Sequence, residues 1–170
     1  MSEFEQELQS WFAGRLPGDW FAGAPEVKAD REEILVVGTL PDVSMPEGTS
    51  ADALTAARSG RIAQHREDTR EARMGIAEEA QMRYRRKVSW GASCGDVREL
   101  FTTVSMPVMT RLRMPGRAVL DTLVDAGVAR SRSEALAWCV RLVDRHQSEW
   151  ISELREALTH VEKVRATGPE

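Results

Sequence analysis

The sequence predicts an α+β protein that is mostly helical, and three patterns support this fold class. After residue 50, apolar residues recur at the three- and four-residue spacing of amphipathic helices. Residues 25–40 instead hold two short apolar runs around Asp30-Arg31-Glu32, which is the pattern of a β-hairpin. Residues 109–114 alternate as a short strand does and lead into two further helical stretches.

These patterns divide the chain into four parts with different characters. They are an N-terminal helix and β-hairpin unit (1–45), a long charged linker helix (50–86), a connector (87–107), and a strand followed by helices, the last of them extended (108–166). Residues 167–169 contain Gly and Pro and are expected to end the chain in disorder.

The N-terminal part is expected to form a small independent unit. Its first helix, over residues 3–13, has apolar residues at helical spacing, and the strands cover 25–29 and 34–40. Trp20 and Phe21 are expected to cover this small sheet. Residues 41–50 are rich in Pro and polar residues and read as a linker. We interpret this part as a partner-binding or oligomerisation domain.

The middle of the chain predicts a long helix with a thin apolar stripe. It runs from about Ser50 to Tyr84, and its many oppositely charged pairs at spacings of three and four stabilise a helix in water. The stripe consists of Leu54, Ile62, Ala72, Ile76 and Ala80. Residues 87–90 favour a strand, and residues 96–101 favour a short helix.

Composition places the chain among cytoplasmic proteins. No apolar run approaches the roughly 20 residues that a membrane-spanning helix needs. The first residues are acidic, where a secretory signal is basic and then apolar. Cys94 and Cys139 are far apart in sequence, which is typical of a reduced compartment.

Charge is distributed unevenly along the chain. The formal net charge is −4, but residues 1–50 hold three Lys/Arg against ten Asp/Glu, and residues 81–132 hold ten against four. Only cations in contact with phosphate release counterions, so local charge decides nucleic-acid affinity. The charge distribution therefore predicts a basic central segment that faces DNA and an acidic N-terminal segment.

Residues 109–134 predict a strand and two helices with clear boundaries. On the strand, Thr110, Leu112 and Met114 are expected to point inward, because alternate side chains face opposite ways. Pro115 suits the start of a helix, and Gly127 suits the residue that follows its end. This helix is expected to bury Ala118, Val119, Leu123 and Val124.

The second helix opens on Ser131-Arg132-Ser133-Glu134, which has the spacing of a capping box. The exposed N–H groups of such a helix end bind phosphate, and Arg130 and Arg132 would reinforce that site. Leu136, Cys139, Val140 and Val143 would then bury against a second subunit. A unit this small cannot bury a core alone, so we expect it to pair with a second copy.

Residues 108–145 resemble the ribbon-helix-helix superfamily of DNA-binding proteins. The stretches that carry the resemblance are Thr110-Arg111-Leu112-Arg113-Met114-Pro115, Leu120 to Gly127 and Ser131 to Ala135. The resemblance implies a C-terminal dimerisation module, an intertwined homodimer with an antiparallel ribbon in the major groove of double-stranded DNA. The ribbon's outward positions fall on Met109, Arg111 and Arg113. The phosphate clamp falls on Ser131, Arg132 and Ser133. About a hundred residues precede this ribbon, which in the family usually lies near the N-terminus.

Other interpretations of the same residues stay open. Arg111 and Arg113 also suit a solvated edge strand whose charge prevents aggregation. Arg85, Arg86 and Lys87 suit either additional contacts to flanking DNA phosphates or a solvated helix end. A lone cysteine such as Cys94 is more often inert than redox-active. The three histidines have no metal-ligand spacing with the cysteines, so no metal site is expected.

The sequence therefore predicts a bacterial, sequence-specific transcriptional regulator rather than an enzyme. It has no phosphate loop, nucleophile elbow, dinucleotide fingerprint or HExxH motif, and no cofactor is expected. Dimers are expected in the cytoplasm, at the nucleoid, and are able to assemble further on tandem sites. One alternative is an antitoxin-like or adaptor protein that binds a partner through the helix beyond His146. The other is a nucleoid-associated protein with little sequence preference.

Overall fold

A computed structural model describes residues 3–167, except for the side chain of Glu162. The chain forms two compact units, here called unit 1 (residues 1–106) and unit 2 (residues 107–170). Helices and one four-stranded sheet account for the regular structure of the described residues. The predicted α+β class, with helix predominating, is confirmed.

Unit 1 is built around the sheet. In chain order its elements are α1 (Glu3–Arg15), β1 (Glu26–Ala29), β2 (Glu33–Thr39), α2 (Ala51–Asp68), α3 (Arg70–Tyr84), β3 (Lys87–Cys94) and β4 (Val97–Leu100). The strands lie in sequence order, and β2 pairs with β3 in parallel while the outer pairs are antiparallel.

The predicted N-terminal helix and β-hairpin are confirmed. The hairpin turn is held by Asp30, whose Oδ1 accepts the backbone N–H groups of Glu32 and Glu33 at 2.9 and 2.7 Å. An aspartate in this position mimics a backbone turn, which is why the local sequence was sufficient to predict it.

The strand expected at residues 87–90 is confirmed and is longer than expected, so most of the stretch interpreted as a connector (87–107) lies in the sheet. Strand β3 pairs with β2, so that Trp90 lies beside Val36 in the centre of the sheet. The expected helix over 96–101 is instead β4, which turns back on β3 at Gly95, a residue with φ of +56°. Residues 1–45 and 87–100 therefore form one unit rather than separate parts.

The long charged helix is also interrupted, at Thr69. Its φ and ψ of −97° and 3° leave the helical region, and its Oγ1 donates to the carbonyl of His65 at 2.5 Å. A threonine hydroxyl that bonds the carbonyl four residues earlier bends a helix. Ile62, Ile76 and Ala80 of the predicted stripe are buried; Leu54 is half-buried and Ala72 is exposed.

Helices α1 to α3 cover one face of the sheet. The buried residues that they share with β2 and β3 are Leu8, Phe12, Ile34, Val36, Ile76, Ala80 and Trp90. A smaller cluster joins Leu40 and Ile62 to Ala92 and Cys94. The other face carries the ion pairs of Glu26 with Lys28 and Arg98.

Trp20 and Phe21 cover the sheet as expected. Trp20 packs against the core cluster, and its ring centroid is 6.4 Å from that of Trp90. Phe21 lies directly over Gly38 of β2, where a Cβ would come within 2.1 Å of its ring. The glycine is therefore required for this close approach.

Unit 2 contains α4 (Met114–Asp125), α5 (Arg132–His146) and α6 (Ser148–Ala166). The expected continuous helix beyond Ser131 is interrupted at Gln147, whose φ and ψ are −129° and 27°. No helix of the described residues is long and apolar enough to cross a membrane. Of the residues expected to be disordered, 168 and 169 lie outside the described range.

Candidate nucleic-acid interface

The segment before α4 presents the two arginines of the predicted ribbon. In the single chain, residues 107–113 form no strand, but Arg113 has the extended conformation, with φ of −73° and ψ of 168°. Arg111 and Arg113 are exposed, and Leu112 between them packs against the core of unit 2. Within the described residues, neither arginine side chain has a hydrogen-bond or ion-pair partner.

The inward side of this segment is only partly as expected. Leu112 faces inward, but Thr110 is exposed and Met114, 73% exposed, is already the first residue of α4. The alternation therefore ends at Arg113, because α4 begins at Met114 with Pro115 in its first turn. Met109, predicted to face DNA, is 95% exposed.

Unit 2 leaves much of its apolar surface exposed. Its fully buried apolar residues are Leu120, Ala129 and Ala135, with five others packed against them. In the single chain Ala118 and Val119, which were expected to be buried, are exposed, and Leu120 is the buried residue of α4. Large apolar side chains at 40% exposure or more extend over the segment and all three helices: Val108, Met109, Met114, Val119, Val128, Val140, Val143, Trp150, Leu154, Leu158, Val161 and Val164.

Helix α4 ends at Gly127, as the sequence predicts. Gly127 has φ of +73°, and its N–H donates to the carbonyl of Val124 at 3.0 Å. The N–H of Val128 donates to the carbonyl of Leu123 at 2.9 Å. These two bonds form a Schellman motif, which satisfies the last carbonyls and reverses the chain toward α5.

Helix α5 is capped by Ser131, also as predicted. The Oγ of Ser131 accepts the N–H of Glu134 at 3.2 Å. In a capping box the glutamate side chain accepts the N–H of the N-cap residue itself. Here Glu134 Oε2 instead accepts the N–H of the preceding residue, Arg130, at 2.8 Å. Ser131 and Ser133 are exposed beside this helix end. The positive end of the helix dipole is thus accessible to an anion.

Arg132 has a partner that the sequence did not indicate. Its Nε and Nη2 donate to the two carboxylate oxygens of Asp121 at 2.6 and 2.7 Å, which joins the start of α5 to α4. The guanidinium lowers the pKa of Asp121, so this carboxylate stays charged. A spacing of eleven residues between separate helices gives no local signal. Because a guanidinium has five N–H donors, three remain for a phosphate.

The second basic cluster, in unit 1, is not one continuous cationic surface. Arg86 stacks on Phe4, with its Cζ 4.3 Å from the ring centroid, and is half-buried. Arg85 ends α3 in the left-handed conformation, with φ of +57°. The side chains of Arg85 and Lys87 are exposed, which leaves these two for solvent or an anion.

Cys94 lies in an environment that disfavours the thiolate. Its side chain is buried, and burial together with the carboxylate of Asp42 raises the pKa of the thiol. A raised pKa lowers the reactivity of a cysteine, which favours the inert interpretation. Among the side chains that the structure describes, no group of three His, Cys, Asp or Glu is placed to hold a metal ion.

Fold and site together define a two-unit α+β protein whose second unit exposes arginines beside an uncovered apolar surface. Residues 6–100 match the family model of the Rv1265-like protein N-terminal domain, and residues 113–165 match that of the Mb1296 C-terminal domain. The chain belongs to the Rv1265-like family.

Its relatives include Mb1296 of Mycobacterium bovis and Rv1265 of Mycobacterium tuberculosis. Each is 59% identical over 160 residues, which cover 94% of this chain and 69% of the relative. No solved structure matches the chain. The two family matches fall on either side of the junction between the units, so each unit corresponds to one family domain.

Proposed function

We propose that the chain is a sequence-specific DNA-binding transcriptional regulator, in which unit 2 pairs with a second copy as a ribbon-helix-helix dimer. The observation that carries this proposal is that Arg111 and Arg113 are exposed and, among the described residues, unpaired in a segment without helix or strand, directly before α4 and α5. Two such segments in antiparallel pairing would make a ribbon that fits the major groove.

The exposed apolar surface of unit 2 supports a second copy as the missing half of the core. Few residues of unit 2 are fully buried, while Val119, Val140 and Val143 of α4 and α5 are about half exposed or more. Small domains that bury little apolar surface usually need oligomerisation to be stable. Pairing two copies would satisfy both the apolar side chains and the strand's backbone groups.

Each site residue then has a defined role. Arg111 and Arg113 would bind guanine edges bidentately, and Met109 would contact a thymine methyl group. The helix end at Ser131 and Ser133, with Arg130 and the free donors of Arg132, would hold the DNA backbone. Arg85 and Lys87 are candidates for further phosphate contacts. Unit 1 would bind a protein partner or join dimers on tandem sites, and such a regulator would act in the cytoplasm, at the nucleoid.

The direct test is fluorescence anisotropy of the full chain on its own promoter and on a scrambled duplex, at two salt concentrations. Arg111→Ala should lose about 1–3 kcal/mol on the promoter and little on the scrambled DNA. Arg145→Ala, an exposed arginine on α5, is the matched control and should bind as the wild type. Equal, salt-sensitive binding to both duplexes would indicate a nucleoid-associated protein instead.

A second candidate function is supported by α6. Trp150, Leu154 and Leu158 are 54%, 43% and 61% exposed on a helix that follows the break at Gln147. An uncovered apolar helix face is the usual docking surface for a partner protein. An antitoxin-like or adaptor role would be favoured if a stable partner co-purifies with the wild type but not with Leu154→Asp.

A further inference from the structure

Unit 1 contains a cavity whose charged lining residues are three arginines and one glutamate, Glu67. Its volume is about 660 Å³, and it lies along the junction of α2 and α3. Arg66, Arg70 and Arg73 line it at spacings of four and three, which places them on one face of the helical segment. Phe101 and Met74 contribute apolar surface.

Arg73 is the most unusual of these residues, because it is buried. Only 7% of the surface of Arg73 is exposed. The Nε donates to Thr69 Oγ1 at 2.9 Å, and Nη2 donates to the carbonyl of Arg66 at 2.6 Å. Both acceptors are neutral. Its Cζ also lies 4.9 Å from the centroid of the Phe101 ring, a cation–π contact.

The positive charge in this cavity is only partly offset, because one carboxylate, that of Glu67, lines it beside the three arginines. Among the described residues, Arg66, Arg70 and Arg73 form no ion pair. Burial lowers the pKa of Arg73, and repulsion from Arg66 and Arg70 lowers it further. A buried charge is costly unless it is paired, so three arginines gathered in this way favour an anion between them.

We propose that this cavity binds a small phosphate-bearing ligand. Guanidinium groups match the oxygens of phosphate in pairs, and the Phe101 ring and Met74 would contact an apolar or aromatic part of the ligand. A small ligand is favoured over a DNA backbone because residues 1–106 hold thirteen Lys/Arg against eighteen Asp/Glu. The net negative charge of unit 1 gives no long-range attraction to an extended polyanion, while a recessed cluster of arginines still attracts a compact anion.

The test is isothermal titration of the full chain with sodium pyrophosphate at an ionic strength held constant with NaCl. One site per chain is expected. Arg66→Ala and Arg70→Ala, which change exposed residues, should each raise the Kd at least tenfold. Arg61→Ala, an exposed arginine of α2 outside the cavity, should leave the Kd within twofold. The absence of binding, or equal binding by all variants, would overturn the proposal.

Two further experiments distinguish ligand binding in this cavity from DNA binding and from the binding of inorganic phosphate alone. The double variant Arg111→Ala/Arg113→Ala should retain pyrophosphate binding, and Arg70→Ala should retain promoter binding; loss in either case would refute a separate small-ligand site. Phenyl phosphate should bind several-fold more tightly than methyl phosphate, and equal affinity would refute the role of Phe101. The pyrophosphate result stands even if the chain binds no DNA.

Discussion

Arg132 and Asp121 form a two-bond ion pair, with distances of 2.6 and 2.7 Å, that fixes the first turn of α5 against α4. Both side chains are about half exposed. A surface pair of this kind contributes little to stability, but it holds the guanidinium at the helix end where an anion would bind. Its main consequence is therefore expected in binding.

Replacing Asp121 should strengthen DNA binding without changing its specificity. Asp121→Asn removes a negative charge and releases Arg132 for phosphate, so affinity should rise by a similar factor on promoter and scrambled DNA. Arg132→Ala should weaken both equally and reduce the salt slope by about one. Anisotropy at three salt concentrations measures both effects, with thermal melting to show that each variant is folded. A change confined to the promoter would contradict a phosphate role.

A charge on the exposed face of α5 should separate the dimer. Val140 is 63% exposed in the single chain, so Val140→Asp should not disturb the fold of a monomer. In a dimer core, the same change buries an unpaired carboxylate. Sedimentation velocity should therefore show a monomer for Val140→Asp and a dimer for the wild type. Ala137→Asp, on the same helix at another exposed position, should remain dimeric. A dimer in both variants would place the interface elsewhere.

Unit 1 should lose stability as the pH falls below about 6.5, because of His65. Its ring packs against Trp20, Phe21 and Phe101, and its Nε2 is buried without a hydrogen-bond partner among the described residues. Burial, and then the charge of Arg73, lower the pKa of His65.

A base with a lowered pKa stabilises the folded state fully above its unfolded pKa, and that contribution is lost as the pH falls through the folded value. Melting temperatures of the wild type should therefore fall as the pH is lowered below about 6.5. His65→Asn should melt at a lower temperature at pH 7.5 but show a flatter pH profile. His160→Asn, an exposed histidine of α6, is the control. Parallel profiles for the wild type and His65→Asn would contradict this account.

Two glycines of unit 1 should respond to alanine in opposite directions. A Cβ at Gly38 would overlap the Phe21 ring at 2.1 Å, so Gly38→Ala should destabilise unit 1 by about 1–3 kcal/mol. A Cβ at Gly14 meets nothing within 4 Å on α1, so Gly14→Ala should stabilise it by about 0.5–1 kcal/mol. Urea unfolding measures both. A neutral Gly38→Ala would mean that Phe21 moves freely.

The features predicted correctly from the sequence are those whose causes are local. Asp30 makes its own turn, Gly127 ends α4, and Ser131 caps α5, each through bonds within a few residues. The parallel pairing of β2 with β3 depends on residues about fifty positions apart and has no such signal. Val97–Leu100 alone reads equally well as helix or strand, and the hairpin with β3 decides between them.

The same distinction between local and tertiary causes applies to the candidate site. Arg111 and Arg113 are exposed as the sequence predicts, although Thr110 and Met114, which were expected to face inward, are exposed too. The pairing of Arg132 with Asp121 and the burial of Arg73 against Phe101 arise from packing between elements. Tertiary contacts of this kind place charged residues where composition and periodicity predict only solvated helix faces.

The order of the strands in unit 1 also affects how the chain folds while it is being synthesised. Strand β2 is synthesised directly after β1, but the strand that pairs with its other edge, β3, follows only after residues 40–86. At translation rates of about 5–20 residues per second, that edge stays unpaired for about 2–10 s. An apolar strand edge in a nascent chain is an aggregation hazard, so slow codons or a chaperone acting within this interval would decide how much of the protein reaches its native fold.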